Sequence, residues 1–163
     1  DGYDAVQLGF LELKEKHITK PLEGHFKKFN VKPTKILAEF KSVPEFDYKP
    51  GQIFNVSLFN EGEFVSVSGK SKGRGFSGTI KKYSFSTQRK THGQGDTHRH
   101  VGSIGAASDP SRVFPGKKMP GRYGNKTVCV KELEVVGVNE SKNQLLVKGS
   151  VPGATNGIVY ITR

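Results

Sequence analysis

Tryptophan is absent from the sequence, cysteine and methionine occur once each, and hydrophobic residues make up only 34% of the chain. A lone cysteine, Cys129, cannot close an internal disulfide, which suits a reducing compartment. So small an apolar share leaves part of the chain with no core of its own to join. No apolar run approaches membrane-spanning length and no charged-then-apolar leader opens the chain, so a soluble protein with no membrane partner is expected. Asp1 is an unusual first residue, and the natural beginning is expected upstream of it. The 163 residues suffice for one domain with a real core and a substantial appendage.

Acidic residues are the other scarcity, and they are scarce in one place. The chain carries 26 Lys and Arg against 15 Asp and Glu, a net charge of +11 and a pI near 9.8. Such an imbalance repels itself in a compact state and calls for an anionic partner: nucleic acid, an acidic membrane surface or an acidic protein. Residues 66–127 hold thirteen of the basic side chains and only two acids, Asp96 and Asp109; the remainder of the chain is neutral. The whole excess therefore belongs to a central segment rather than to a generally basic surface.

The flanks of that segment read as strands. Residues 5–13, 36–41, 52–59 and 63–68 before it, and 128–138, 144–149 and 157–162 after it, are rich in β-branched and aromatic side chains. Phe54, Val56 and Leu58 recur at every second position, the period of a half-buried strand. Asn139–Asn143 reads as a hairpin turn, and Pro21 to Phe29 as a short helix. Lys16, Lys27 and Lys28 have acids nearby and read as a solvated face. Many short strands with little helix predict a mainly β chain, closed as a barrel or packed as a sandwich. The expected arrangement is a neutral β-barrel built from residues 1–65 and 128–163, with the basic, glycine-rich extension 66–127 inserted between its strands.

The centre has no core periodicity. Eleven glycines, Pro110, Pro115, Pro120 and the charged side chains offer little apolar surface, and a connection this long is rare unless function demands it. It is expected to become fixed on a partner, because it cannot offset its own ordering entropy. Glycine lets backbone amides approach phosphates, while Phe76, Tyr83, Phe85, Phe114 and Tyr123, spaced among the cations, can stack on bases. That combination favours RNA over a lipid surface. The candidate contacts are Lys70, Lys72, Arg74, Lys81, Lys82, Arg89, Lys90, His92, His98, Arg99, His100, Arg112, Lys117, Lys118, Arg122 and Lys126.

Several motifs invite other chemistry and fail on spacing. Gly73, Gly75 and Gly78 spell G-x-G-x-x-G after a strand, but the units around them do not alternate strand and helix, and any crossover helix would be short. Gly69-Lys70-Ser71 mimics the end of a phosphate-binding loop, yet the required earlier glycine would fall at Phe64. His92, His98, His100 and Cys129 lack metal-ligand spacing, so no metal is expected. Ser103 or Ser108 with His100 and Asp109 supplies the residue types of a hydrolase triad without a nucleophile elbow, on backbone too glycine-rich to hold catalytic geometry.

Longer motifs carry a resemblance. The run Gly69–Gly78 (GKSKGRGFSG) with Lys81 and Lys82, the segment Thr91–Gly105 (THGQGDTHRHVGSIG), the run Gly116–Gly121 (GKKMPG) with Arg122 and Gly124, and Leu145–Thr155 (LLVKGSVPGAT) together resemble the L-three family of large-subunit ribosomal proteins. The opening Asp1-Gly2-Tyr3 with Ala5 and Lys20-Pro21 resembles its bacterial form, and the family's first strand segment would precede Asp1. The resemblance implies a translation-factor-like β-barrel and a basic extension that binds 23S-type rRNA directly and early in subunit assembly. It further implies that the extension approaches the peptidyl transferase centre, its tip falling at Ser103, Ile104, Gly105, Ala106, Ala107 and Ser108. Expected neighbours are ribosomal proteins of the L-fourteen and L-nineteen families, in the large ribosomal subunit of the cytoplasm. No catalysis, cofactor or small-molecule substrate is implied. Three positions depart from the pattern: Ser66 stands where the family has Asp or Asn, and Lys82 where it has Arg, losing the planar fork. Ser108 stands where some bacterial members carry a methylated glutamine, so that modification is not expected. An RNA-modifying enzyme with a similar barrel and a transient assembly factor are the competing readings; residues holding a methyl donor would favour the former, and none is found.

Overall fold

The computed structural model describes residues 2–43 and 47–163, so Asp1 of the opening motif lies outside the described residues. The protein is mainly β, with antiparallel pairing throughout, and divides into two units, Asp1–Leu58 and Phe59–Arg163.

In the first unit β1 (Ala5–Glu12) pairs antiparallel with β2 (Thr34–Lys41), from Ala5 opposite Lys41 to Glu12 opposite Thr34. Along β2 half-buried Thr34, Ile36, Ala38 and Phe40 alternate with exposed neighbours, as a strand with one covered face requires. Between the strands lies α1 (Lys20–Lys28), the expected short helix. Pro21 sits in its first turn, where the missing N–H costs no helix bond. Glu23 near its start and His25, Lys27 and Lys28 near its end complement the helix dipole, and Phe26 is its buried side chain. The Tyr3 hydroxyl donates to Glu39 Oε2 at 2.9 Å. That hydrogen bond, reinforced by the carboxylate's charge, holds the Tyr3 phenol above its ordinary value of 10.0.

One strand expected in this unit is not there. Over residues 52–59 the chain is irregular apart from a single 3₁₀ turn at Val56–Leu58. Alternation of Phe54, Val56 and Leu58 marks which side chains share a face, but a strand also needs a neighbour to take its backbone hydrogen bonds. No strand among the described residues pairs with this segment, and Ile53 and Phe54 both stay exposed.

The second unit is built on a four-stranded antiparallel sheet in the order β7-β6-β3-β8, where β3 is Phe64–Lys70, β6 Thr127–Asn139, β7 Gln144–Lys148 and β8 Val159–Thr162. Its core is Val65, Val67, Leu133 and Val135, with Phe59, Val130, Val138, Leu145, Val147, Val159 and Ile161 packed around them. The long strand β6 keeps its apolar residues inward only by bulging twice. Val65 faces Leu133 but Val67 faces Val130, one extra residue on β6, with Glu132 at φ 57. Val135 faces Val147 but Gly137 faces Leu146, which leaves Val136 unmatched and exposed. Each bulge resets the two-residue alternation, so that Val130 and Val138, rather than Lys131 and Gly137, join the core. The expected hairpin follows: Asn139 Oδ1 accepts from Ser141 Oγ at 2.8 Å and Lys142 N at 3.2 Å. Glu63, at the start of the sheet, meets Arg163 Nε at 2.6 Å and accepts from Asn60 N at 3.1 Å. The sheets formed by the described residues are open, and no closed barrel is formed among them.

Candidate nucleic-acid interface

The basic segment connects β3 to β6, and its two ends are zipped together rather than loose. Ser71 N donates to Lys126 O at 2.9 Å, and the Ser71 hydroxyl both donates to Lys126 O at 3.0 Å and accepts from Lys126 N at 3.2 Å. Further out, Arg74 N donates to Tyr123 O and Tyr123 N to Gly75 O, each at 2.9 Å. The ladder ends in β4 (Phe76–Ser77) paired with β5 (Gly121–Arg122). Backbone hydrogen bonds need no apolar periodicity, which is why composition gives no sign of this order. Beneath it, the glycine of the segment Leu145–Thr155 at position 153 adopts φ 110 and packs its backbone on Lys70; a Cβ there would lie 2.9 Å from the Lys70 carbonyl oxygen. Ser71, the last residue of the false phosphate loop and part of the Gly69–Gly78 run, is thus a clasp.

Past the ladder come α2 (Thr79–Tyr83), closed by Ser84 at φ 59, and then a long irregular path. The G-x-G-x-x-G run resolves accordingly: Gly75 is in the ladder, Gly78 caps a five-residue helix, and the flanking strands are antiparallel, none of which is a dinucleotide fold. Residues 88–98 form a loop closed by Gln88 N to His98 O at 3.1 Å. His98 Nδ1–H donates to the Arg89 carbonyl at 3.0 Å, so this ring orders the loop with one nitrogen and keeps Nε2 for other use. Cys129 stands opposite Ser68 in the β3–β6 ladder, away from any three-residue His/Cys/Asp/Glu group; none occurs among the described residues.

The cations of this segment meet aromatic rings instead of acids. Lys82 Nζ lies 5.0 Å and Lys118 Nζ 5.7 Å from the centre of the Tyr83 ring. Arg112 lies 5.3 Å from Phe114, and Arg74 6.0 Å from Tyr123. Each ion pair formed among the described residues lies outside 66–127: Lys27–Glu23, Lys32–Glu12, Lys49–Asp47, Lys148–Glu134 and Arg163–Glu63. The ion pairs thus belong to the flanks, whereas the thirteen central cations form none among the described residues.

The structure gathers some of the expected contacts and separates others. Arg74, Lys81 and Arg99 line one recess with Phe76. Arg99 and His100 line a second, with Gln88 and Pro120. Lys70 and Lys126 flank the base of the ladder, Lys72 lies within it and Arg122 at its far end. Lys90, His92 and Lys117 are exposed. Ser103, Ile104, Gly105, Ala106, Ala107 and Ser108 are exposed too, on a stretch held by Ser103 Oγ to Gly105 O at 3.1 Å and Ser111 N to Ala107 O at 3.3 Å.

Comparison with known proteins places this geometry. Residues 48–145 match the family described as Ribosomal protein L3. The chain is 51% identical over 161 residues to a protein of Thermotoga petrophila named large ribosomal subunit protein uL3, spanning 99% of this chain and 76% of that one. Proteins of the same name from Petrotoga mobilis (49% identical, 99% of this chain and 75% of that one) and a Hydrogenobaculum species (47%, 100% and 70%) match as well. The names describe ribosomal proteins rather than enzymes. A match to the family over more than half the chain, and relatives near half identical over nearly all of it, lead to one conclusion: the chain belongs to the ribosomal protein L3 family.

Proposed function

We propose that this protein is a structural constituent of the large ribosomal subunit in the cytoplasm, binding 23S-type rRNA directly and supporting subunit assembly. The observation that carries this reading is the separation of charge: ion pairs in the flanks, and none among the described residues for the cations of 66–127. Unpaired cations release counterions when they meet phosphates, and that release supplies most of the affinity. Lys70, Lys72, Arg74, Lys81, Lys82, Arg89, Lys90, Arg99, Arg112, Lys117, Lys118, Arg122 and Lys126, with His92, His98 and His100, are the contacts proposed. Residues 1–65 and 128–163 make up a translation-factor-like barrel, β7 and β8 being the outer strands of the sheet among the described residues and so the place where it would close, and 66–127 is the extension inserted into it. Ser103–Ser108, exposed and small apart from Ile104, approach the peptidyl transferase centre through an RNA crevice, supplying no chemical group. Proteins of the L-fourteen and L-nineteen families are the proposed neighbours.

Affinity for an rRNA fragment is expected to fall steeply with salt. Changing Lys117 and Lys118 together to Ala should flatten the log–log slope by up to roughly 1.4–1.8, the share of two phosphate contacts. An unchanged slope would mean that these lysines face solvent in the complex. For the tip, Ala107→Arg should leave protein stability within about 0.5 kcal/mol and alter peptide-bond formation or antibiotic sensitivity of purified ribosomes that contain it. Unaltered values for both would put the tip away from the centre.

A further inference from the structure

We infer that the recess lined by Arg74, Lys81 and Arg99 takes one unpaired nucleotide, its phosphate on the three cations and its base stacked on Phe76. The inference rests on the rRNA-binding reading and narrows it from a charged surface to a single-nucleotide subsite.

Three segments bring their charges to this place: Arg74 from the ladder, Lys81 from α2, and Arg99 from just past the loop closed by Gln88 and His98. No acid lines the recess. At its margin Phe76 is 81% exposed, an isolated ring with no core to join. Its backbone is nonetheless fixed. Phe76 pairs with Arg122 in the ladder, and the side chains that follow on either side of Gly78, Ser77 and Thr79, are buried. Arg74 is fixed as well: its amide donates to Tyr123 O, and its carbonyl accepts from Ser77 Oγ at 3.1 Å. With both backbones already fixed, only side-chain freedom is lost when a ligand arrives.

The chemistry of the ligand follows from the pairing of charge with an open aromatic face. Cations alone would suit any phosphate of a helical backbone. A phenyl face gains only if a base lies flat on it, and within an A-form helix both faces of each base are already covered by neighbours. The recess therefore selects a bulged, looped or terminal nucleotide over paired RNA. Stacking tolerates any base, so the preference is for lack of pairing rather than for a letter.

The test uses the full chain with two probes: a short single-stranded RNA carrying one 2-aminopurine, and a blunt RNA duplex of equal length. The chain has no tryptophan to obscure the signal. Wild type should change the 2-aminopurine fluorescence as the base stacks. Phe76→Leu should abolish that change and weaken single-strand binding by between about fivefold and a hundredfold, the cost of one lost stack, while duplex affinity stays as it was. Phe76→Tyr should restore both. Arg99→Gln should lower the salt slope for the single strand by about 0.7, which Phe76→Leu should leave alone. If wild type binds both probes with steep salt dependence but Phe76→Leu behaves identically, the nucleotide subsite is wrong and the rRNA-binding reading survives. If wild type binds neither probe at low salt, both fall.

Discussion

Gly124 and Lys72 face each other across the clasped base of the basic segment so closely that a Cβ on residue 124 would lie 2.0 Å from the Lys72 carbonyl oxygen. Gly124 also adopts φ 73, where an L side chain is strained. Two independent penalties thus fall on one position, and the obstructing atom is backbone, which cannot swing aside. Gly124→Ala is expected to open the ladder locally, speeding hydrogen exchange at the Arg74 and Tyr123 amides and reducing rRNA affinity. Gly95→Ala is the control, since nothing lies within 4 Å of its Cβ position and its φ is not in the left-handed range. Equal exchange in the two variants would show that the ladder does not depend on the close approach.

The two bulges of β6 make a paired prediction about neighbours in sequence. Val135 is fully buried, and Val135→Ala should cost about 2 kcal/mol through lost burial and the cavity left behind. Val136, one residue on, is the unmatched bulge residue and exposed, so Val136→Ala should stay within about 0.5 kcal/mol. Denaturant melts of both variants decide the register; comparable losses would mean that the second bulge is misplaced.

Glu63 ties the start of the central sheet to its last strand. Its side chain is only 16% exposed, and it holds both Arg163 and the Asn60 amide. Glu63→Ala removes both bonds and leaves the amide without its partner, at a cost of about 1 kcal/mol, or roughly 3 °C in Tm for a chain of this size. Arg163→Ala, which removes a mostly exposed side chain and spares the Asn60 contact, should cost less. Thermal melts with the opposite order would assign the stabilisation to the arginine's packing instead.

Sequence alone determined the chemistry of this protein. A count of charges placed the whole positive excess between residues 66 and 127, because acids and bases that neutralise one another locally leave their pattern in composition. Seven apolar runs announced strands, and six of them are strands. Even the bulges leave a trace, since the apolar spacing in β6 stretches from two to three residues between Val130 and Leu133 and between Val135 and Val138. Only the tertiary structure decided the remainder. The run at 52–59 has a strand's alternation and no strand partner, and partners are found in space, not in a local pattern. The clasp of Ser71 on Lys126 is made of backbone and one hydroxyl, groups that hydropathy does not register. Arg74, Lys81 and Arg99 are scattered through 26 positions of sequence and meet in one recess because the ladder, α2 and the His98-ordered loop return the chain to the same point. Convergence of that kind depends on long-range backbone pairing, which no window of neighbouring residues contains.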